Sequence, residues 1–265
     1  MELGAGLVKT DRWGQRLARG LTGLGGLVLD LAYPPVCLHC DAPVVQADTL
    51  CAPCFARLKP ISAPLCPVMG LPFAASLGDG ALSGEALADP PPFGRARAAV
   101  VYDELAGRLV SRLKYGDRPE LALFCARLLA GAGHELWAGE PWLVPVPLHP
   151  GRHRQRRYNQ SMELARALGQ VTGLAVAPLL VQRTRQTRQQ VGLSGTGRER
   201  NVAGAFTANR ELVGRAQGRR LILIDDVYTT GATVKAVTRA LRRGGAGAID
   251  VATFARVVIG ADLPI

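Results

Sequence analysis

Residues 221–233 constrain the fold more than any other stretch of the chain: Leu221, Ile222, Leu223 and Ile224 run directly into Asp225 and Asp226, then Val227, Tyr228, Thr229, Thr230, Gly231, Ala232 and Thr233. An aliphatic run without polar alternation fits a parallel strand buried on both faces. The two carboxylates then fall at the carboxyl edge of the sheet, where open α/β folds bind ligands. The hydroxyl-rich turn that follows, leading into a helix-forming run, suits a phosphate held by backbone N–H groups at a helix N-terminus. An acid pair beside a phosphate cradle matches a ligand that carries both sugar hydroxyls and a phosphate.

This order of strand, acid pair and Thr-x-Gly-x-Thr loop resembles the phosphoribosyl pyrophosphate (PRPP) motif of type I phosphoribosyltransferases. The resemblance implies that Asp225 and Asp226 hold the ribose 2′- and 3′-hydroxyls as the catalytic pair. It assigns Tyr228, Thr229, Thr230, Gly231, Ala232 and Thr233 to the 5′-phosphate loop. It also implies Mg²⁺ bound together with PRPP, as an oxygen-preferring ion that bridges pyrophosphate and ribose oxygens. Family members that use 6-oxopurines carry an Asp where this chain has Thr229, so hypoxanthine or guanine salvage is not expected.

Five of the six cysteines lie between residues 37 and 66. Cys37, Cys40, Cys51 and Cys54 form two C-x-x-C knuckles, a spacing that supplies four thiolates to a closed structural Zn²⁺ site. Disulfides are the competing reading, but nothing in the chain suggests secretion, and cytosolic thiols stay reduced. His39, inside the first knuckle, is expected to be a solvated loop residue. Cys66 heads a third knuckle with Met69 in its second position, and a thioether is a poor zinc ligand beside thiolates. One zinc site is therefore expected, with Cys66 left over, and Cys125 is expected in the core of a helix.

The chain has 265 residues, enough for a full core, and a formal net charge of +11. Between residues 152 and 200 ten Arg face two acids, Glu163 and Glu199, which makes a polyanionic partner plausible. The apolar stretch 21–33 is too short to span a bilayer and contains Asp30, so no membrane span and a cytoplasmic protein are expected. The expected organisation is an N-terminal amphipathic helix within 1–33, a four-cysteine zinc-ribbon module at 34–77, a Gly/Ala/Pro-rich linker at 78–93 and a phosphoribosyltransferase-like domain at 94–259. Within that domain strands are expected at 98–102, 142–148, 179–182, 205–207, 221–225 and 249–254. Helices are expected at 105–114, 120–136, 159–170 and 232–243. Such alternation implies the α/β class with a mainly parallel sheet flanked by helices.

Further segments extend the resemblance. Val144-Pro-Val-Pro-Leu-His149 is followed by an Arg cluster and by Arg157-Tyr-Asn-Gln160 at the head of a helix. Gln190-Val-Gly-Leu-Ser194 precedes Arg198-Glu-Arg-Asn-Val-Ala-Gly-Ala-Phe206. With the zinc knuckles, these segments resemble the ComF (ComFC) family, phosphoribosyltransferase-like proteins associated with natural competence for DNA uptake. The resemblance implies a pyrophosphate loop carrying Arg152, Arg156 and Arg157, with Lys114 as a further cationic donor. It also implies a mobile hood contributing Gln190, Arg198 and Asn201. The partners it implies are PRPP, with single-stranded DNA and competence-machinery proteins as further possibilities. The alternatives to a transferase are a non-catalytic single-stranded-DNA-uptake factor, for which stacking aromatics are sparse in the Arg-rich stretch, and a PRPP-responsive regulator.

Overall fold

The structure is a computed structural model that describes residues 34–78, 80–115, 120–148, 159–185, 202–216 and 218–258. The N-terminal helix expected within 1–33 lies outside these residues. The centre of the molecule is a four-stranded sheet of β1 (Ala96–Val101), β2 (Trp142–Pro145), β5 (Leu221–Tyr228) and β6 (Ile249–Arg256). Its order is β1-β6-β5-β2, and every neighbouring pair is parallel. The aliphatic run predicts this burial correctly: Leu221, Ile222, Leu223 and Ile224 are all at most 1% exposed.

One face of the sheet is covered by α3 (Glu104–Tyr115), α4 (Glu120–Ala132) and α5 (Gln160–Thr172), which pack Leu109, Leu129 and Leu168 against Ile222, Ile224 and Phe254. The opposite face packs Leu221, Leu223 and Val251 against α6 (Arg210–Arg215) and α7 (Ala232–Arg243). Alternate residues of one strand thus feed two cores, as a period of two requires. Cys125 is fully buried in the first of them, as expected.

Three elements depart from the sequence expectation. The helix expected to reach residue 136 ends at Ala132, and a 3₁₀ turn spans His134–Leu136. The expected strands near 180 and 206 form β3 (Val181–Arg183) and β4 (Phe206–Ala208), which pair antiparallel to each other outside the main sheet. The motif strand runs beyond Asp225 to Tyr228, because β6 continues to pair with it at Asp225, Val227 and Tyr228.

Ahead of the sheet lie two ribbons of the same design. In the first, Cys37 N donates to Ala42 O at 2.7 Å, Asp41 N to Cys37 O at 3.1 Å and Val44 N to Pro35 O at 2.9 Å. In the second, the same bonds join Cys66 to Leu71, Gly70 to Cys66 and Phe73 to Pro64, each at 2.8 Å. Asp41 and Gly70 occupy the same left-handed position, at φ 60° and 63°. Gly70 is obligatory there, since a Cβ would come within 2.3 Å of Ala96 O. Cys51 N reaches Cys37 Sγ and Ser83 N reaches Cys66 Sγ, both at 3.3 Å. A short helix follows each: α1 (Ala52–Ala56) and α2 (Gly84–Ala88). Ser83 and Ala86 therefore stand where the first ribbon has Cys51 and Cys54. The stretch 78–93, expected as a linker, carries this second half-ribbon, and its Phe93 is buried in the core.

Candidate functional site

The acid pair sits where β2 leaves the sheet. Pro145 is the last β2 residue to pair with β5, and Val146 N donates to Ile224 O at 2.9 Å. Beyond Ile224 no described residue pairs with β5 on its β2 side, and Asp225 and Asp226 follow directly in the strand. The pair therefore lies toward the carboxyl ends of the strands, the end at which α/β sheets commonly take ligands.

Each carboxylate has a dedicated partner. Ser161 Oγ donates to Asp225 Oδ1 at 2.8 Å, and the Asp226 N–H donates to the same oxygen at 3.0 Å. Lys114 Nζ, from the last turn of α3, pairs with Asp226 Oδ2 at 2.7 Å. Burial first, and then the negative charge of Asp226, push the Asp225 carboxyl up to about 7, against the opposing pull of Ser161, the Asp226 N–H and Lys114.

The head of α5 builds the other wall. Asn159 caps it, accepting from Ser161 N with its side chain and donating from Nδ2 to Val146 O at 3.2 Å. Gln160, 2% exposed, donates to Lys114 O at 3.4 Å. Gln160 and Ser161 were not among the expected site residues. Their signal was a run of polar residues at a helix start, which reads as capping until the fold turns it toward the acid pair.

The loop after β5 closes into α7 at Gly231, which has φ +72°. A Cβ there would fall 2.2 Å from Tyr228 Oη, so glycine is required twice over. Thr229 is exposed, Thr230 and Thr233 are half-buried, and Gly231 and Ala232 are buried. Thr230 Oγ1 accepts from Ala232 N at 3.4 Å. Tyr228 is 1% exposed and lies beneath this loop. It packs edge-on to Phe93 with ring centroids 6.4 Å apart, and the Arg256 guanidinium covers its ring at 4.2 Å.

Of the other expected site residues, Lys114 is held on Asp226. Arg152, Arg156, Arg157, Gln190, Arg198 and Asn201 lie outside the described residues. Within the Arg-rich stretch, Arg166, Arg183 and Arg185 are described, and each is engaged inside the chain. Arg166 pairs with Glu163 at 2.8 Å, Arg183 stacks on Phe206 at 5.2 Å, and Arg185 donates to Ala203 O at 2.6 Å.

The four cysteines of the first ribbon converge, with all four Sγ atoms within 4.8 Å of one another. Cys40 and Cys51 Sγ are 3.7 Å apart. A tetrahedron with Zn–S bonds of about 2.3 Å has edges of about 3.8 Å, so the residues fit zinc. Burial raises the Cys37 thiol, but the N–H groups of Cys40, Cys51 and His39 outweigh it and bring it down to about 6. Cys54 is pushed up to about 12 by burial and by the sulfur of Cys51. A metal ion would stabilise both as thiolates.

His39 is not the solvated residue expected. It is 5% exposed, and its Nδ1 lies 3.4 Å from Cys54 Sγ. Burial, then Arg108 and Arg57, hold it below the ordinary imidazole range, so it is neutral and able to donate to the Cys54 thiolate. In the second ribbon the corresponding corners are Cys66, Met69, Ser83 and Ala86, all at most 7% exposed. That set offers no second cluster, and among the described residues the first ribbon holds the sole group with metal-ligand geometry.

Both ribbons are tied to the sheet domain. Arg112 on α3, one half-turn before Lys114, grips the first ribbon at Asp41 and donates to Leu38 O at 3.1 Å. The second ribbon hydrogen-bonds the start of β1, where Ala96 N donates to Val68 O at 2.7 Å. No helix among the described residues is long and apolar enough to cross a membrane.

The double zinc ribbon domain matches residues 28–87, which span both ribbons. The chain is similar to the DNA utilization protein YhgH of Salmonella typhimurium, 33% identical over 238 residues, covering 86% of this chain and 100% of that protein. It is also similar to Competence protein F of Haemophilus influenzae, at 30% identity over 83% of this chain and 96% of that protein. Competence protein ComFC of Bacillus subtilis is 26% identical over 83% of this chain and 95% of that protein.

Proposed function

The chain belongs to the ComF (ComFC) family, and on that premise we propose that it binds PRPP with Mg²⁺ and transfers or recognises the phosphoribosyl group, in a role in DNA utilization or competence. The observation that carries this reading is the adjacency of the largely buried Asp225–Asp226 pair, near the carboxyl end of β5, to a Gly231 turn at the N-terminus of a twelve-residue helix. Asp225 and Asp226 accept the two ribose hydroxyls. The turn from Thr229 to Thr233 takes the 5′-phosphate with hydroxyls and N–H groups that a helix N-terminus leaves unpaired.

The site's donors are carboxylate oxygens, which suit Mg²⁺, and the ion would neutralise charge on the pyrophosphate and ribose oxygens. Ser161 fixes the rotamer of Asp225. Lys114 neutralises Asp226 and would supply a cationic donor to a leaving pyrophosphate. With Asp225 near neutrality, ligand binding ionises it and releases a proton. The DNA-related names of the relatives support the biological setting and leave the acceptor open.

The test is Mg²⁺-dependent release of pyrophosphate from PRPP across a panel of nucleobases and amines. Release with one acceptor class establishes a transferase. PRPP binding without turnover of any acceptor would leave recognition as the function. A second assay, binding of single-stranded DNA at rising salt, addresses the DNA role. A steep fall in affinity with salt supports phosphate contacts, and no binding at low salt removes direct DNA recognition.

A further inference from the structure

We propose that the second ribbon serves as the mount of the 5′-phosphate loop, with Arg256 as the positioning residue that transmits its place to Gly231 through Tyr228. The inference rests on the phosphoribosyl reading of that loop.

Arg256 is 1% exposed, and a guanidinium at that depth is sustained only by paired donors. Both of its pairing acceptors lie in the second ribbon. Nη1 donates to Met69 O in the knuckle at 2.6 Å, and Nη2 donates to Glu85 Oε2 on α2 at 2.8 Å. Its planar face lies on Tyr228, and the hydroxyl end of Tyr228 fills the space beneath Gly231. One turn into α7, Lys235 N donates to Gly231 O at 2.8 Å. The Lys235 side chain, 3% exposed, crosses to Asp89 at the end of α2 at 2.7 Å.

Two buried cations thus run from the sheet and from α7 to two carboxylates four residues apart on the second ribbon. The asymmetry of burial is informative. Arg256 and Lys235 are almost wholly enclosed, while Glu85 and Asp89 side chains are 36% and 54% exposed. An exposed ion pair adds little stability, whereas an enclosed cation with one acceptable position fixes geometry. The ribbon's corners carry no metal set, yet it pairs both Nη groups of Arg256 and the Lys235 ammonium, while Arg256 Nε and Tyr228 Oη stay buried without a hydrogen-bond partner.

The test compares wild type, Arg256→Met and Glu85→Gln for binding of two probes, ribose 5-phosphate and inorganic pyrophosphate, with zinc content and melting followed in parallel. Arg256→Met keeps the volume and removes both donors. Glu85→Gln acts from the exposed end and keeps the test available if Arg256→Met does not fold. The expected result is a loss of about tenfold in ribose 5-phosphate affinity in the variants, the size expected for a charge-assisted hydrogen bond. Pyrophosphate affinity and zinc content stay unchanged. A parallel fall for both probes, or no change for either in folded protein, overturns the inference. Wild type that binds neither probe overturns the phosphoribosyl reading and this inference with it, and is recognisable because it appears before any substitution.

Discussion

The first ribbon and the second share a backbone hydrogen-bond pattern and differ in what fills the centre. The first gathers four sulfurs within 4.8 Å, an arrangement that fits a metal ion. The second gathers Cys66, Met69, Ser83 and Ala86 and packs them with Phe93, Ala96 and Val251 in one of the two main cores. A segment this small cannot bury a sufficient core by itself. It needs a metal, or it needs a host surface. The first ribbon leans on α3 through Leu38, Leu50 and Arg112 and keeps its ligand set. The second has given its centre to the sheet domain, and hydrogen bonds from Arg97 to Pro67 O and Arg256 to Met69 O secure it there. Once a ribbon is held this way, its metal ligands are free to change while its backbone is retained.

The sharpest way to break this comparison is to remove one sulfur from each ribbon. Cys54→Ala is expected to abolish tight zinc binding and lower the melting temperature severely, since structural zinc contributes on the order of 10 kcal/mol in small ribbons. Cys66→Ala is expected to leave zinc content unchanged. Equal zinc loss in both, read by atomic absorption, would mean that the second ribbon shares the metal. The complementary test rebuilds the missing ligands. Met69→Cys, Ser83→Cys and Ala86→Cys together place four thiols at the corners now held by Cys66 and these three residues. Zinc content is expected to rise from about one to about two per chain. No rise in folded protein would contradict the equivalence of the two backbones.

A smaller effect concerns the acid pair of β5. Asp225 has its carboxyl raised from 3.8 to about 7, so the folded state binds its proton more tightly than the unfolded state. The stabilisation from this proton is present below pH 3.8 and is lost as pH rises through 7. Asp225→Asn is therefore expected to stabilise the fold at pH 8 by about 2 kcal/mol and to leave it nearly unchanged at about pH 3. Urea denaturation at the two pH values decides, and equal shifts at both would show that ionisation of Asp225 carries no cost.

Much of this architecture was legible in the chain. The aliphatic run before Asp225 announced a doubly buried parallel strand, and the Cys37–Cys54 spacing announced the zinc cluster, because both signals are local. The second ribbon was half hidden. Cys66 and Met69 could be seen as an altered knuckle, but Ser83 and Ala86 keep no ligand chemistry, and the repeat survives there only as backbone hydrogen bonds. His39 was misread because a polar residue in a knuckle looks solvated until α3, with Arg108 and Arg112, closes over it. Ser161 and Gln160 were missed since a hydroxyl and an amide at a helix start read first as capping. The length of β5 depended on pairing with β6, a contact between distant segments. Conversely, six of the expected pyrophosphate and hood residues fall outside the described residues and remain expectations.

Calorimetry of PRPP with Mg²⁺, on zinc-loaded wild type and on the Asp225→Asn/Asp226→Asn double variant, decides whether the acid pair and the Gly231 turn form a phosphoribosyl site. The expected result is saturable binding to wild type, weakening as pH falls below about 7, and none to the folded double variant. Absence of binding to folded wild type, or equal binding to both proteins, would contradict it.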